Sequence, residues 1–323
     1  MHKIWENHMK LSNDLSSVKD RMKVVIKDSN KFFEDALYPI VDGGGKMLRP
    51  AMVILSSEFG KSEKEKIINL AAAIEILHLA TLVHDDIVDD SPKRRNCETI
   101  QSKFGKNYAV YTGDYLLSKA LIMISDYEYT RENLKNISSA VAKICSGEIL
   151  QYNSRYLVDQ SLKNYLRIIS GKTATLFAMS LYAGAKESDC DEKLCKDLAR
   201  VGYNIGMAFQ IQDDLLDYSG NPDELGKSCK IDIVSGYYTL PLILSVAKDP
   251  SKLIDSAMED VINGSKNPSE VIDIIEKLGG IKGAELVSNR YVDKALKNIN
   301  KLPDCASKDI LKDITVKLLN RKN

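Results

Sequence analysis

Apolar residues recur every three or four positions through IINLAAAIEILHLATLV (67–83), YLLSKALIMIS (115–125), YLRIISGKTATLFAMSLYAGA (165–185) and VGYNIGMAFQIQDDLLDY (201–218). That period belongs to an α-helix with a buried face, and runs that alternate apolar and polar as a strand would are almost absent. Prolines stand at 39, 50, 92, 222, 241, 249, 268 and 303, so residues 93–221 lack the residue that most strongly breaks a helix. The pattern predicts an all-α protein of long helices. Loops are expected at 41–48, 91–99, 219–230 and 262–270, where glycine, proline, asparagine and charge cluster. No short-period repeat and no Pro/Gly/Ser-rich linker divides the chain, so a single domain over 1–323 is expected.

Charge changes this picture only locally. Lys and Arg number 45 and Asp and Glu also 45, which leaves no net field to favour nucleic acid. The six cysteines, at 97, 145, 190, 195, 229 and 305, form no CxxC pair and are expected to stay reduced in a cytoplasm. The opening MHKIWENHMKLSNDL lacks the continuous apolar core of a secretory signal. No stretch is expected to reach the roughly 18 apolar residues of a membrane-spanning helix.

The local charge is concentrated in HDDIVDD (84–90). His78, Thr81, Asp85 and Asp89 follow at three- or four-residue steps, so one stripe of the helix turns from apolar to acidic. Carboxylates at i,i+4 repel each other unless a cation lies between them. FQIQDDLLDY (209–218) repeats the spacing with Asp213, Asp214 and Asp217, preceded on the same face by Gly206 and Gln210. A single DDxxD reads as a solvated helix face. Two copies, each at the polar end of an apolar helix and each followed by a basic loop, point to Mg2+, which binds phosphates through one or two carboxylates and keeps its waters. The missing ligand is then a diphosphate.

Basic groups accompany the acidic ones. GGGKMLRP (43–50) places Lys46 and Arg49 beside a glycine turn and a helix start, a candidate second diphosphate site. Arg94 and Arg95 follow the first motif and Lys227 follows the second. Lys172 and Thr173 lie inside an otherwise apolar helix, where an unpaired ammonium costs several kcal/mol or loses its proton. His78 is read either as a hydrogen-bonded core histidine or as a ligand in the Asp85 stripe.

The segments GGGKMLRP, LVHDDIVDDSPKRR, GDYLLSKA, SGEILQ, GKTATLF and FQIQDDLLDYSG occur in the order seen in trans-isoprenyl diphosphate synthases, the polyprenyl synthetase family, which the chain resembles. Within that family the likeness is greatest to the large catalytic subunits of bacterial heptaprenyl diphosphate synthases. The resemblance implies a helical bundle around a deep central cavity, with about three Mg2+ ions holding an allylic diphosphate. By position it assigns Asp85, Asp89, Asp213 and Asp217 to metal, with Asp86 and Asp214 in support. Lys46, Arg49, His78 and Arg95 are assigned to isopentenyl diphosphate, and Arg94, Lys172, Thr173, Gln210 and Lys227 to the allylic substrate. The hydroxyl of Thr173 and the carbonyl of Gln210 are expected to face the allylic cation.

Two positions depart from the family pattern. Asn96 stands where a glycine usually follows the arginines, and Tyr237 in GYYTLP takes the place of a usual lysine. Ala80 and Thr81, one turn before Asp85, are small where short-chain members carry an aromatic, so a product well beyond farnesyl, near heptaprenyl, is expected. The resemblance further implies a homodimer, or a heterodimer with a small non-catalytic helical subunit, and transient membrane contact for product release. The alternatives are a short-chain farnesyl or geranylgeranyl synthase, a class I terpene cyclase, and a non-catalytic scaffold. A cyclase normally replaces the second DDxxD and lacks the Lys46 and Arg49 site.

Overall fold

A computed structural model describes residues 3–27, 31–43, 45–94, 97–219, 231–265 and 267–319. Its long elements are helices: α1 (Met9–Lys27), α2 (Lys31–Asp42), α3 (Leu48–Ser57), α4 (Lys64–Val88), α5 (Ile100–Phe104), α6 (Lys106–Ser125), α7 (Arg131–Asn153), α8 (Leu162–Ile169), α9 (Thr175–Lys186) and α10 (Glu192–Ser219). Then follow α11 (Ile231–Val234), α12 (Leu240–Val246), α13 (Leu253–Ile262), α14 (Pro268–Lys277), α15 (Gly280–Ile299) and α16 (Ala306–Leu319). The all-α reading holds, and among the described residues the only sheet is a hairpin of β1 (Lys93–Arg94) and β2 (Cys97–Glu98).

Helix starts follow capping chemistry. Thr99 Oγ1 accepts the Ser102 amide at the start of α5, and Ser161 Oγ accepts the Asn164 amide at that of α8. Asn267 caps α14 ahead of Pro268, whose missing N–H is no loss in a first turn.

The chain divides into two compact units. The first comprises Met1–Ser138, Met179–Ala199 and Ile299–Ile314, and its core is built on α4, against which α1, α3 and α6 pack. Leu70, Ile74 and Ile76 are among its sealed side chains. This helix corrects the expectation about membrane-length segments: α4 is long and apolar enough to cross a bilayer. Most of that apolar stretch is buried by neighbouring helices, which is why apolar residues occupy every face of it and not one stripe. Trp5, also sealed, donates its indole N–H to the Lys46 carbonyl at 2.8 Å.

The second unit comprises Ser139–Ala178, Arg200–Asn298 and Thr315–Asn323. One cluster in its core joins Tyr165, Ala174, Met207, Ile211 and Leu240, which ties α8 to α10 and α12. Another gathers Tyr218, Ile233, Tyr238, Met258 and Ile275. The apolar run 165–185 is not one uniform helix, as its period predicts. Ser170–Ala174 is a π-helical turn between α8 and α9, and such turns mark places where a helix accommodates a functional side chain.

Candidate active site

Both aspartate motifs lie at the C-terminal ends of their helices. Asp85 and Asp86 occupy the last turn of α4 and Asp89 its C-cap, while Asp213, Asp214 and Asp217 fall in the last two turns of α10. Neither helix has a basic residue in its last turn. Those at the helix ends, Asp85, Asp86, Asp89 and Asp217, oppose the helix dipole at about 0.3–1 kcal/mol each, and each i,i+4 pair repels by a few tenths more. Such an arrangement gathers negative potential and is relieved by a cation.

Within each motif the three aspartates divide in the same way. In the first unit Asp86 is buried and accepts the Arg94 Nε–H at 2.8 Å, whereas Asp85 is half-buried and Asp89 exposed. The hairpin positions Arg94, and the segment between is pinned to the end of α4 where the Ser91 amide donates to Asp86 O. Thr99 and Gln101 side chains in turn donate to Ser91 O, at 2.7 and 3.0 Å.

In the second unit Asp214 is buried, Asp217 half-buried and Asp213 exposed. Tyr165 Oη donates to Asp214 Oδ2 at 2.5 Å and Gln210 Nε2 to Oδ1 at 2.8 Å. Burial pushes the Asp214 carboxyl up to about 7, although those two hydrogen bonds and the Lys172 charge pull it down and the Asp213 charge adds to the rise. Burial also pushes the Tyr165 phenol well up, reinforced by the Asp214 charge, so the tyrosine stays a donor.

The π turn supplies the remaining groups. Thr173 Oγ1 donates to Gln210 Oε1 at 2.6 Å, which completes a chain Thr173–Gln210–Asp214–Tyr165. Gln210 therefore gives one of its carbonyl lone pairs to Thr173, which leaves the other for the substrate-facing role expected of it. Lys172 Nζ donates to Glu148 Oε2 and Gln151 Oε1, both at 3.0 Å. The buried ammonium anticipated at this position is thus a paired, partly exposed one held from α7.

The other predicted residues are placed as follows. Lys46 and Arg49, both half-buried, flank the start of α3, where Met47 takes a left-handed φ of 50°. His78 is half-buried in α4, on which α3 packs. Ala80 is 0% exposed, whereas Thr81 borders accessible space with its hydroxyl satisfied by His78 O at 2.8 Å. Arg95, Asn96 and Lys227 lie outside the described residues.

Four matches bear on this geometry. The profile of the Polyprenyl synthetase family covers residues 30–278. Heptaprenyl diphosphate synthase component 2 of Geobacillus stearothermophilus is 33% identical over 306 residues, 95% of each chain. The chain belongs to the polyprenyl synthetase family. Among solved structures, a geranylgeranyl pyrophosphate synthase from Lactobacillus brevis superposes with a TM-score of 0.93 at 32% identity over 99% of each chain. A polyprenyl synthase from Caulobacter crescentus, complexed with calcium and isoprenyl diphosphate, gives 0.92 at 27% identity over 100% of this chain and 99% of that one. This polyprenyl synthetase is accordingly a trans-prenyltransferase with the fold of its family, and the cyclase and scaffold alternatives fall away.

Several residues that shape the site escape the sequence reading. Tyr165 sits five residues before the π turn in an ordinary apolar run, with no signal of its own. Glu148 and Gln151 lie in SGEILQ and Asp114 in GDYLLSKA, segments whose order is diagnostic but whose contacts are not legible. Asp114 Oδ1 stands 3.3 Å from His84 Nε2, and a Cβ on Gly113 would meet the His84 ring at 2.3 Å, so this glycine gives the histidine its room. Tyr165→Phe is expected to destabilise the protein by about 1–3 kcal/mol, because the buried Asp214 loses a donor it cannot replace from water. Urea unfolding of the two proteins measures it.

Proposed function

We propose that this synthase extends a farnesyl or geranylgeranyl diphosphate primer with isopentenyl diphosphate, in trans, to a long-chain product near heptaprenyl. The observation that carries the reading is the repeated build of the two motifs: a buried middle aspartate locked by a neighbour, and two outer carboxylates presented at a helix C-terminus. Two carboxylates per motif fit Mg2+, which takes one or two with phosphate and water. Asp85 and Asp89 would hold such an ion in the first unit, and Asp213 and Asp217 another in the second. Bound there, Mg2+ neutralises the diphosphate leaving group.

The chain's own residues do the rest. Lys172, fixed by Glu148 and Gln151, and Arg94, fixed on Asp86, add charge for the allylic diphosphate. The allylic C–O bond breaks with its electron pair leaving on diphosphate, the isopentenyl double bond attacks the cation to form the new C–C bond, and a proton leaves. Thr173 and Gln210 present bonded oxygens of low nucleophilicity, which stabilise a cation without capturing it. Asp214 is occupied by Tyr165 and Gln210, so the released diphosphate is the proton acceptor. Lys46, Arg49 and His78 would receive isopentenyl diphosphate.

Thr81 supports the long product, since a small side chain with a satisfied hydroxyl suits an apolar chain. Thr81→Phe is expected to truncate the product to the farnesyl or geranylgeranyl range. Ala80→Phe is expected to do the same at an added cost of about 1–3 kcal/mol, because its site is filled. Mass spectrometry of the products from farnesyl diphosphate, isopentenyl diphosphate and Mg2+ checks both, and unchanged lengths would refute the assignment. The "component 2" in a relative's name supports a small second subunit. Adding that subunit is expected to raise long-chain output, whereas a geranylgeranyl product with or without it would favour the short-chain reading.

A further inference from the structure

Arg155 follows α7 by two residues and stands four beyond Gln151, a partner of Lys172. Aromatic rings enclose it: its Cζ lies 5.8 Å from the ring centre of Tyr152, 5.3 Å from that of Tyr156 and 5.0 Å from that of Tyr237. Its Nε and Nη2 donate to Ser235 O at 3.0 and 2.8 Å, and Nη2 also reaches Tyr156 Oη at 3.4 Å. Among the described residues no carboxylate pairs with it and nothing engages Nη1. The guanidinium thus keeps a positive charge that no carboxylate among the described residues offsets, beside three phenol rings and with a donor edge to spare.

The enclosure is specified by backbone. Tyr156 adopts a left-handed φ of 61° and its amide donates to Gly236 O at 2.9 Å. Gly236 has a φ of 80°, and a Cβ there would lie 2.6 Å from the Tyr156 ring. From this turn the chain runs to Thr239, whose Oγ1 donates to Tyr218 Oη at 3.0 Å, and Tyr218 adjoins Asp217. Arg155 is therefore tied on one side to the helix that holds Lys172 and on the other to the end of the second aspartate motif, all within the second unit. A preset cation between those elements matches the oxygens of a diphosphate.

We propose that Arg155 is a diphosphate-binding residue on the second-motif side of the active site, with Tyr237 as its stacking support. The proposal rests on the prenyltransferase reading above. It is tested with the full chain by calorimetric titration of inorganic diphosphate in MgCl2, and by KM for farnesyl and for isopentenyl diphosphate. Arg155→Gln is expected to weaken inorganic diphosphate and raise the farnesyl diphosphate KM about tenfold, with the isopentenyl KM within about twofold. Arg155→Lys, which keeps the charge but loses the fork on Ser235, is expected to stay within about threefold of the parent. Adding Tyr237→Lys to Arg155→Gln restores a charge beside the same place and is expected to recover at least about threefold. A purely structural role impairs the lysine and glutamine variants equally and gains nothing from Tyr237→Lys; that result overturns the proposal. So does an unchanged diphosphate affinity, or a shift confined to isopentenyl diphosphate. A parent protein that condenses no substrates would sink the functional reading instead, and the titration would still decide this one.

Discussion

Asp213→Asn is expected to lower kcat about 10^2- to 10^3-fold while leaving the protein slightly more stable. The opposite signs follow from the same position. Asp213 is exposed in the penultimate turn of α10, where its charge repels Asp217, its i,i+4 neighbour. Removing that charge relieves about 0.2–0.5 kcal/mol of repulsion in metal-free buffer. The same charge is what a cation on the departing diphosphate requires, and losing one such contact costs several kcal/mol in the transition state. Asp85→Asn should behave alike, since Asp85 opens the first motif as Asp213 opens the second. Steady-state kinetics with Mg2+ and thermal melts without it check the pair of signs. Activity within about threefold of the parent would refute the metal assignment. Loss of both activity and stability would mean that Asp213 is a structural residue like its neighbour Asp214.

That contrast between neighbours shows what the sequence can and cannot carry. Helical period located α4, α6 and α10, and the i,i+4 spacing of aspartates named the outer carboxylates, because both are local properties of a regular helix. Which aspartate turns inward is not local. Asp86 and Asp214 are fixed by Arg94 from a two-residue hairpin and by Tyr165 from α8, contacts set by tertiary packing. The π turn at Ser170–Ala174 was equally hidden, since Lys172 and Thr173 interrupt an apolar run without any helix breaker to mark the change. Composition misled once: α4 has membrane-spanning length and hydropathy because it is a central core helix, and burial by protein and by lipid select the same residues. Tyr237 was legible only as a departure, and its meaning came from the Arg155 guanidinium stacked on it.

The π turn also sets up the second large effect. Gly147 in α7 and Gly171 in the turn meet backbone to backbone: a Cβ on Gly147 would lie 2.8 Å from the Lys172 nitrogen and 3.1 Å from Gly171 atoms, and one on Gly171 would lie 2.9 Å from the Lys143 carbonyl oxygen. The approach brings Glu148 and Gln151 within 3.0 Å of the Lys172 ammonium. Helix propensity alone says that Gly147→Ala should gain about 1 kcal/mol. The obstructing atoms are main chain and cannot rotate away, so overpacking of about 1–3 kcal/mol should outweigh that gain and the substitution should destabilise. Gly147→Val, with two further methyl groups, should wedge α7 from the turn, lower stability by about 3 kcal/mol and displace Lys172 by enough to cost about 10^2-fold in kcat/KM for the allylic substrate. Denaturant melts and kinetics on both variants check this. If Gly147→Ala is stabilising and fully active, the close approach does not hold Lys172 in place, and the lysine is positioned by its side-chain contacts with Glu148 and Gln151.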